Sequence, residues 1–328
     1  MKPTDPVIVS AVRTPIASFG GALKDFSHTE LAAIVMNEVC SRVNFPKEEI
    51  DDIYWGIVMQ RCDENGLARG AALRAGIPDH VSAVQVNRAC CSGMEAIKIG
   101  SLAIRLSDAN AILAGGGESM SNVPYVLKDA RWGLRLKHKE FSDGLWDSLT
   151  DHHTGLIMGM TAENVAEKYG ISRKDQDEFS FESQLRAKKA IEEGRFKDEI
   201  VPVIIPGKKG RPDRIIDTDE HPNPETTREA LSSLPPAFKK DGTVTAGNSS
   251  GINDGASSVL ILSHETAQRF GMKRQWRIVG SSAVGVDPSI MGIGPIPAIR
   301  KLMKKTGYCI EDMDLFEINE AFAAPSVA

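Results

Sequence analysis

Apolar positions recur along the first third of the chain in two alternating rhythms. β-Branched runs over 6–11, 51–58, 81–86 and 109–114 have the length and flanks of strands, and apolar spacing near 3.6 residues predicts helices over 29–43, 67–75 and 92–106. The first helix opens on the polar stretch Ser27 to Thr29. The 92–106 helix is apolar nearly all round, through Met94, Ile97, Ile99, Leu102 and Ile104, which predicts that it is buried. The 109–114 strand is expected to close on Gly115, Gly116 and Gly117. Strands alternating with helices predict an α/β fold whose parallel sheet is built from right-handed βαβ units.

From about 119 to 247 the rhythm breaks at Pro124, Trp132, a basic run between Lys128 and Lys139, and a Pro- and charge-rich stretch over 207–224. Helices are predicted over 161–169 and 173–193, the second opened by Ser172 with Asp175 three residues on and closed by Gly194. Strands are expected over 242–246, 257–262, 277–286 and 315–318, a helix capped by Ser263 and ending at Gly271, and another over 296–306. The pattern therefore divides the chain into a first half (1–121 and 249–272), an inserted loop domain (122–248) and the start of a second half (273–328). A final unit of about 55 residues is short of a self-sufficient core, so the second half is expected to be incomplete.

Composition narrows the function classes. With 41% apolar and 25% charged residues the chain is of ordinary globular type, and 328 residues suffice for two domains or one large α/β domain. Thirty-nine Lys plus Arg against 44 Asp plus Glu leave a net charge of -5, which offers no global field to nucleic acid or an anionic membrane. The N-terminus is too short and Pro-interrupted for a signal peptide and no window reaches bilayer length, so a cytoplasmic location is expected. Cys40, Cys62, Cys90, Cys91 and Cys309 contain no C-x-x-C pair, and His152 and His153 are adjacent rather than a turn apart. Neither a disulfide framework nor a metal site is expected.

Two stretches carry candidate chemistry. In Val86-Asn87-Arg88-Ala89-Cys90-Cys91-Ser92-Gly93, Cys90 stands at a strand-to-helix turn, where the helix dipole and unpaired N–H groups favour thiolate. On residues alone, a Cys-Cys pair that merely packs is equally open. Gly247-Asn248-Ser249-Ser250-Gly251 satisfies G-x-S-x-G, the nucleophile elbow of α/β-hydrolases. That elbow needs a following helix, an acid and a histidine, whereas the only downstream histidine is His264, beyond a predicted strand.

N-x-x-C-x-S-G followed by Ala114-Gly115-Gly116-Gly117-Glu118-Ser119-Met120-Ser121 resembles the nucleophile region of the thiolases, which make or cleave 3-oxoacyl-CoA. Val12-Arg13-Thr14-Pro15, Met160-Thr161-Ala162-Glu163-Asn164, Gly194-Arg195-Phe196, Thr245-Ala246-Gly247-Asn248-Ser249-Ser250-Gly251, Gly292-Ile293-Gly294-Pro295 and Asn319-Glu320-Ala321-Phe322 match in the family's order, covering essentially the whole chain. The resemblance implies a layered αβαβα fold of two similar halves, with an inserted loop domain that binds CoA and makes oligomer contacts. It implies an acyltransferase resembling acetyl-CoA C-acetyltransferase, in which Cys90 carries the acyl group as a thioester during reversible Claisen condensation of acetyl-CoA or thiolysis of a 3-oxoacyl-CoA. Asn319 matches the residue that holds a water in an oxyanion hole. Ser250 and the Ala246-Gly247 backbone match the stretch against the pantetheine arm of CoA, and Met158, Met291 and Phe322 match pocket positions, with core packing an equal reading for each Met. CoA thioesters are then substrates, without metal or redox cofactor, and a homodimer or homotetramer in fatty acid metabolism is implied, with short-chain acetoacetyl-CoA preferred. The basic run Lys128, Arg131, Arg135, Lys137, His138 and Lys139 faces either CoA phosphates or solvent and a neighbouring subunit, and Lys208, Lys209, Arg211 and Arg214 carry the same two readings.

Three positions depart from the family pattern: Cys91 stands where Gly or Ala is usual, Ile157 where His often precedes Met-Gly, and Asn223 where a basic residue often approaches the nucleotide. The family's G-H-P histidine and C-x-G cysteine follow the N-E-A-F motif, and in these 328 residues neither stands after it. Two alternatives follow: a silent, truncated thiolase that only binds CoA or needs a partner supplying the missing His and Cys, and a ketoacyl-synthase-like condensing enzyme, which the N-E-A-F and T-A-G-N stretches disfavour.

Overall fold

The computed structural model describes residues 1–136, 138–207 and 210–328, so Lys137, Lys208 and Lys209 lie outside the described residues. The chain forms two compact units, one of 1–123, 194–221 and 252–278, the other of 124–193, 222–251 and 279–328. No described helix is long and apolar enough to cross a membrane.

The first unit is built on a sheet of seven described strands: β1 (Pro6–Arg13), β2 (Ala17–Ser18), β3 (Asp52–Gly56), β4 (Ser82–Val86), β5 (Ala111–Ser119), β6 (Asn253–Ser263) and β7 (Trp276–Arg277). Their order is β7-β1-β6-β5-β3-β4, with β2 on β6. β3 runs parallel to β4 and β5, but β6 is antiparallel to β1 and β5, so the sheet is mixed rather than parallel as expected. The register explains this. Asp254 faces Ser119, so the chain leaves β5 and returns on β6 at the same end of the sheet, which enforces an antiparallel pair.

α1 (His28–Ser41) starts where a capping box forms between Ser27 and Glu30, as its polar lead-in predicts. With α2 (Leu67–Arg74) it covers one face of the sheet, burying Leu31, Val35, Met36 and Val39 against Val7, Ile53, Trp55, Leu113 and Leu260. α3 (Ser92–Arg105) covers the other, where Ala96, Ala103 and Ile104 meet Ile112, Ala114 and Ile261. Only that stripe of α3 is buried; Met94 is 67% exposed, which corrects the expectation of burial all round.

The 194–221 segment, read from the pattern as part of the insertion, groups instead with the sheet. Arg13 on β1 explains the attachment: its guanidinium pairs with Asp219 at 2.6 and 2.9 Å and with Glu199 at 2.7 Å. Val201, Val203 and Ile216 then enter the same core.

In the second unit, α4 (Met158–Tyr169) and α5 (Arg173–Glu192) occupy their expected positions, and α5 opens on the Ser172–Asp175 capping box. α6 (Pro295–Thr306) and α7 (Ala323–Val327) complete the elements used below. Three expected strands are absent or shortened. Residues 242–246 form a turn leading into a short 3₁₀ helix, Ala246–Asn248; of 277–286 only Arg277 is in a strand; and 315–318 is irregular. β-Branched residues make a strand only where a neighbour completes the ladder, and among the described residues these segments find no more than a single bridge from Thr245 to Pro236 and the pairing of Arg277 with Val7.

Candidate active site

Cys90 sits on a tight turn between β4 and α3, in the first unit. Ala89 takes a left-handed φ of +45°, a conformation that side chains other than Gly and Asn rarely adopt. Hydrogen bonds hold it there. Asn87 Oδ1 accepts the Ala89 N–H at 2.9 Å, while Ser92 Oγ accepts the Arg88 N–H at 2.9 Å and donates to the Ala89 carbonyl at 2.6 Å.

Glycines bring this turn down onto the sheet. A Cβ on Gly56 would come within 2.7 Å of the Ser92 carbonyl oxygen, and one on Gly116 within 3.2 Å of Gly93 Cα. Only bare backbone lets the first turn of α3 approach β3 and β5 so closely. β5 itself runs on through Gly115, Gly116 and Gly117 to Ser119, past the glycines at which the pattern predicted that it would close.

Cys90 is exposed, yet its thiol is held above its ordinary pKa: the surrounding protein withdraws it from water, and the charges of Cys91 and Glu118 add to the effect, against the pull of its own backbone N–H. Burial and the neighbouring charges thus outweigh the one backbone N–H that favours thiolate. The resting group is a thiol, which needs a base before it can attack a carbonyl.

The other expected site residues lie in the second unit. There two motifs far apart in sequence meet: Ser249 pairs with Phe322 in an antiparallel bridge, and the Ser250 N–H donates to the Ala321 carbonyl at 2.9 Å. Glu320 accepts from Ser183 Oγ at 2.6 Å, whereas Asn319 is exposed. The Phe322 ring stands edge-on to Phe238, centroids 6.1 Å apart. Beyond it, α7 packs on α4 and α5, burying Ala323 and Ala324. Pro325 fits over Gly292, whose Cβ would lie 2.6 Å from it. Asn164 Nδ2 on α4 donates to the Ser289 carbonyl at 2.8 Å, fastening the turn Pro288–Ile293 to the helix. Met158 at the start of α4, Met291 in that turn and Phe322 thus stand on elements that pack together.

The Ala246-Gly247 backbone is held by a polar network that pattern reading missed. Buried Glu163 accepts the N–H groups of Thr243 and Val244 at 2.8–3.0 Å. Gln176 donates to Thr243 Oγ1, and buried Asn248 donates to Asp177 and to the Thr243 carbonyl. The available signal was an acidic residue on an apolar helix face, Glu163 in Met160-Thr161-Ala162-Glu163. Gly247 lies beneath Leu231 and Leu234, each 2.6 Å from where a Cβ would stand.

The G-x-S-x-G match has no elbow geometry. Ser249 is extended (φ -118°, ψ 150°), its hydroxyl donates to the Thr245 carbonyl at 2.6 Å, and the next element is β6 rather than a helix. His264 faces Gln275 and Gln268. Of the departures, Cys91 is the N-cap of α3, Ile157 precedes α4 without a side-chain cap, and the Asn223 N–H donates to Gln184. A cleft of about 580 Å³ lined by Met1, Lys2, Thr4, Asp5, Arg105 and Arg277 contains none of the site residues.

Comparison with known proteins places these features in context. Residues 6–265 match the N-terminal domain of thiolase and residues 272–328 its C-terminal domain. The chain is 49% identical over 325 residues to the acetyl-CoA acetyltransferase of Syntrophomonas wolfei, covering 98% of this chain and 81% of that protein. It is 45% identical to the human mitochondrial 3-ketoacyl-CoA thiolase over 98% of this chain and 81% of the relative. Among solved structures, the Bacillus anthracis acetyl-CoA acetyltransferase superposes with a TM-score of 0.96 at 48% identity, over 98% of this chain and 82% of the other. The human mitochondrial 3-ketoacyl-CoA thiolase in complex with CoA gives 0.93 at 43% identity, over 100% and 82%.

Proposed function

Because the chain belongs to the thiolase family, we propose that it is an acyl-CoA acyltransferase of the acetyl-CoA acetyltransferase type, with Cys90 as its acyl acceptor. The observation that carries this reading is an exposed thiol held on a rigid turn at the head of α3. Once deprotonated, Cys90 Sγ attacks the thioester carbonyl of acetyl-CoA; an S–C bond forms and CoA leaves as the thiolate. In the second half-reaction the carbanion of another acetyl-CoA, its α-proton removed, attacks the acyl-cysteine to give acetoacetyl-CoA and frees the Cys90 thiolate. Thiolysis runs the same steps backwards.

Asn319 holds the water that meets the developing oxyanion, a contribution of about 3–4 kcal/mol in comparable acyl transfers. Ser250 and the Ala246-Gly247 backbone lie along the pantetheine arm, where small residues let a thin ligand approach, and Met158, Met291 and Phe322 form its apolar surroundings. The CoA complex of the human relative supports CoA as the ligand class. The reading extends to a homodimer or homotetramer, which exposed Trp132, Leu136 and Phe141 support, and to cytoplasmic fatty acid metabolism.

The test is to incubate the 328-residue chain with acetyl-CoA and locate the added acetyl group by peptide mass spectrometry. Labelling of Cys90 that Cys90→Ala abolishes is the expected result; an unlabelled Cys90 overturns the assignment.

A further inference from the structure

Glu118, at the end of β5, is not used by this mechanism, yet its carboxylate is the hub of the contacts behind the nucleophile. On one side it accepts the N–H of Val58 at 3.0 Å and of Met59 at 3.2 Å. The Val58 carbonyl accepts from Asn87 Nδ2 at 3.1 Å, and Asn87 Oδ1 in turn takes the N–H of Ala89, the residue before Cys90. An unbroken series of contacts therefore runs from the carboxylate to the turn.

On its other side stands a fully enclosed imidazole. His28, 2% exposed, accepts the Trp55 indole N–H through Nε2 at 3.0 Å. A neutral imidazole accepting there carries its proton on Nδ1, and that atom, which has no hydrogen-bond partner, lies 3.8 Å from Glu118 Oε1. Burial holds His28 neutral, its pKa lowered to about 4. Glu118 is thus boxed between two backbone donors and one buried N–H.

We propose that Glu118 is a positioning residue for Cys90: it carries the Val58-Met59 backbone, and through Asn87 that backbone carries the turn presenting the thiol. The proposal rests on the reading of Cys90 as acyl acceptor. The titratable groups facing Cys90 are Cys91 on its own turn and Glu118 from β5, with His28 behind Glu118 and Glu64 behind His28.

Two measurements on the full chain test it: site-resolved alkylation of Cys90 by iodoacetamide across pH, and its acetylation by acetyl-CoA. Glu118→Gln removes a negative charge near the thiol and sets an amide against backbone donors. Its alkylation midpoint is expected to move to lower pH while acetylation slows about tenfold through misplacement of the turn. Asn87→Ala changes an exposed residue and leaves that charge in place; it is expected to slow acetylation without moving the midpoint. A Glu118→Gln protein with wild-type midpoint and acetylation rate, or an Asn87→Ala protein acetylated at the wild-type rate, overturns the proposal. Should wild-type Cys90 take no acetyl group, the acyl-acceptor reading falls, while the alkylation midpoint still reports on Glu118.

Discussion

Ser250 donates its backbone N–H to the Ala321 carbonyl at 2.9 Å. Beside it Ser249 opposes Phe322, so two stretches far apart in sequence form one antiparallel contact. The serine-rich turn is therefore held by its backbone against the 321–322 stretch, and the Ser249 hydroxyl is spent on the Thr245 carbonyl.

Replacing Ser249 by Ala tests that distinction. The hydroxyl donates to the Thr245 carbonyl, so its loss should cost about 1 kcal/mol in denaturant titration and leave acetylation of Cys90 at the wild-type rate. Abolished turnover would point to serine chemistry.

Gly56→Ala should be far more damaging than Gly285→Ala. The first sets a Cβ against the backbone of Ser92 and Gly93, whereas nothing lies within 4 Å of the second. We expect a loss of about 3 kcal/mol for Gly56→Ala and a change within about 0.5 kcal/mol for Gly285→Ala, measured by urea unfolding. Equal stabilities would mean that α3 does not rest on bare strand backbone.

Buried His28 predicts a specific acid sensitivity. Its folded pKa of about 4 lies below the ordinary 6.5, so the unfolded chain takes up a proton that the native state refuses. Stability is unaffected above pH 6.5 and falls as pH drops from 6.5 toward 4, by about 3 kcal/mol in all. Carboxylates such as Asp5, whose pKa is lowered by the Lys2 N–H and nearby arginines, also lose stability on acidification. The informative quantity is thus the difference between wild type and His28→Gln, which should slope across that window; parallel curves would remove His28 as a source.

Arg13→Met should loosen the 194–221 segment. It leaves partly buried Asp219 without its guanidinium, at a cost of about 3 kcal/mol, while exposed Glu199 is taken up by solvent. Hydrogen exchange is the measurement, with faster exchange expected at Val201, whose N–H is bonded to the Arg13 carbonyl. Unchanged protection there would show that the core residues alone hold the segment.

What could be read from residues and what could not follow different physics. α1 and α5 were legible to within two residues because both their apolar period and their capping boxes are local. β6 was visible as a strand but not as an antiparallel one, since direction depends on where a long excursion returns. The glycines after Ala114 read locally as an ending; the role of Gly116 as a floor for α3 exists only once the helix is in place. The strand-to-helix turn that carries Cys90 was legible in the sequence. The raised pKa of its thiol was not, because the Glu118 charge arrives from another strand. Glu163 and Gln176 escaped notice for the same reason: their partners are some 70 to 80 residues away.

The position of β6 between β1 and β5 also sets a timetable. During synthesis β1 and β5 emerge first and wait with open edges until residues 253–263 follow. At ribosomal rates of roughly 5–20 residues per second, that interval is on the order of ten seconds. Throughout it, Leu113 and Val7 lack the partner strand that closes their core, and the nascent protein depends on being kept from pairing with anything else.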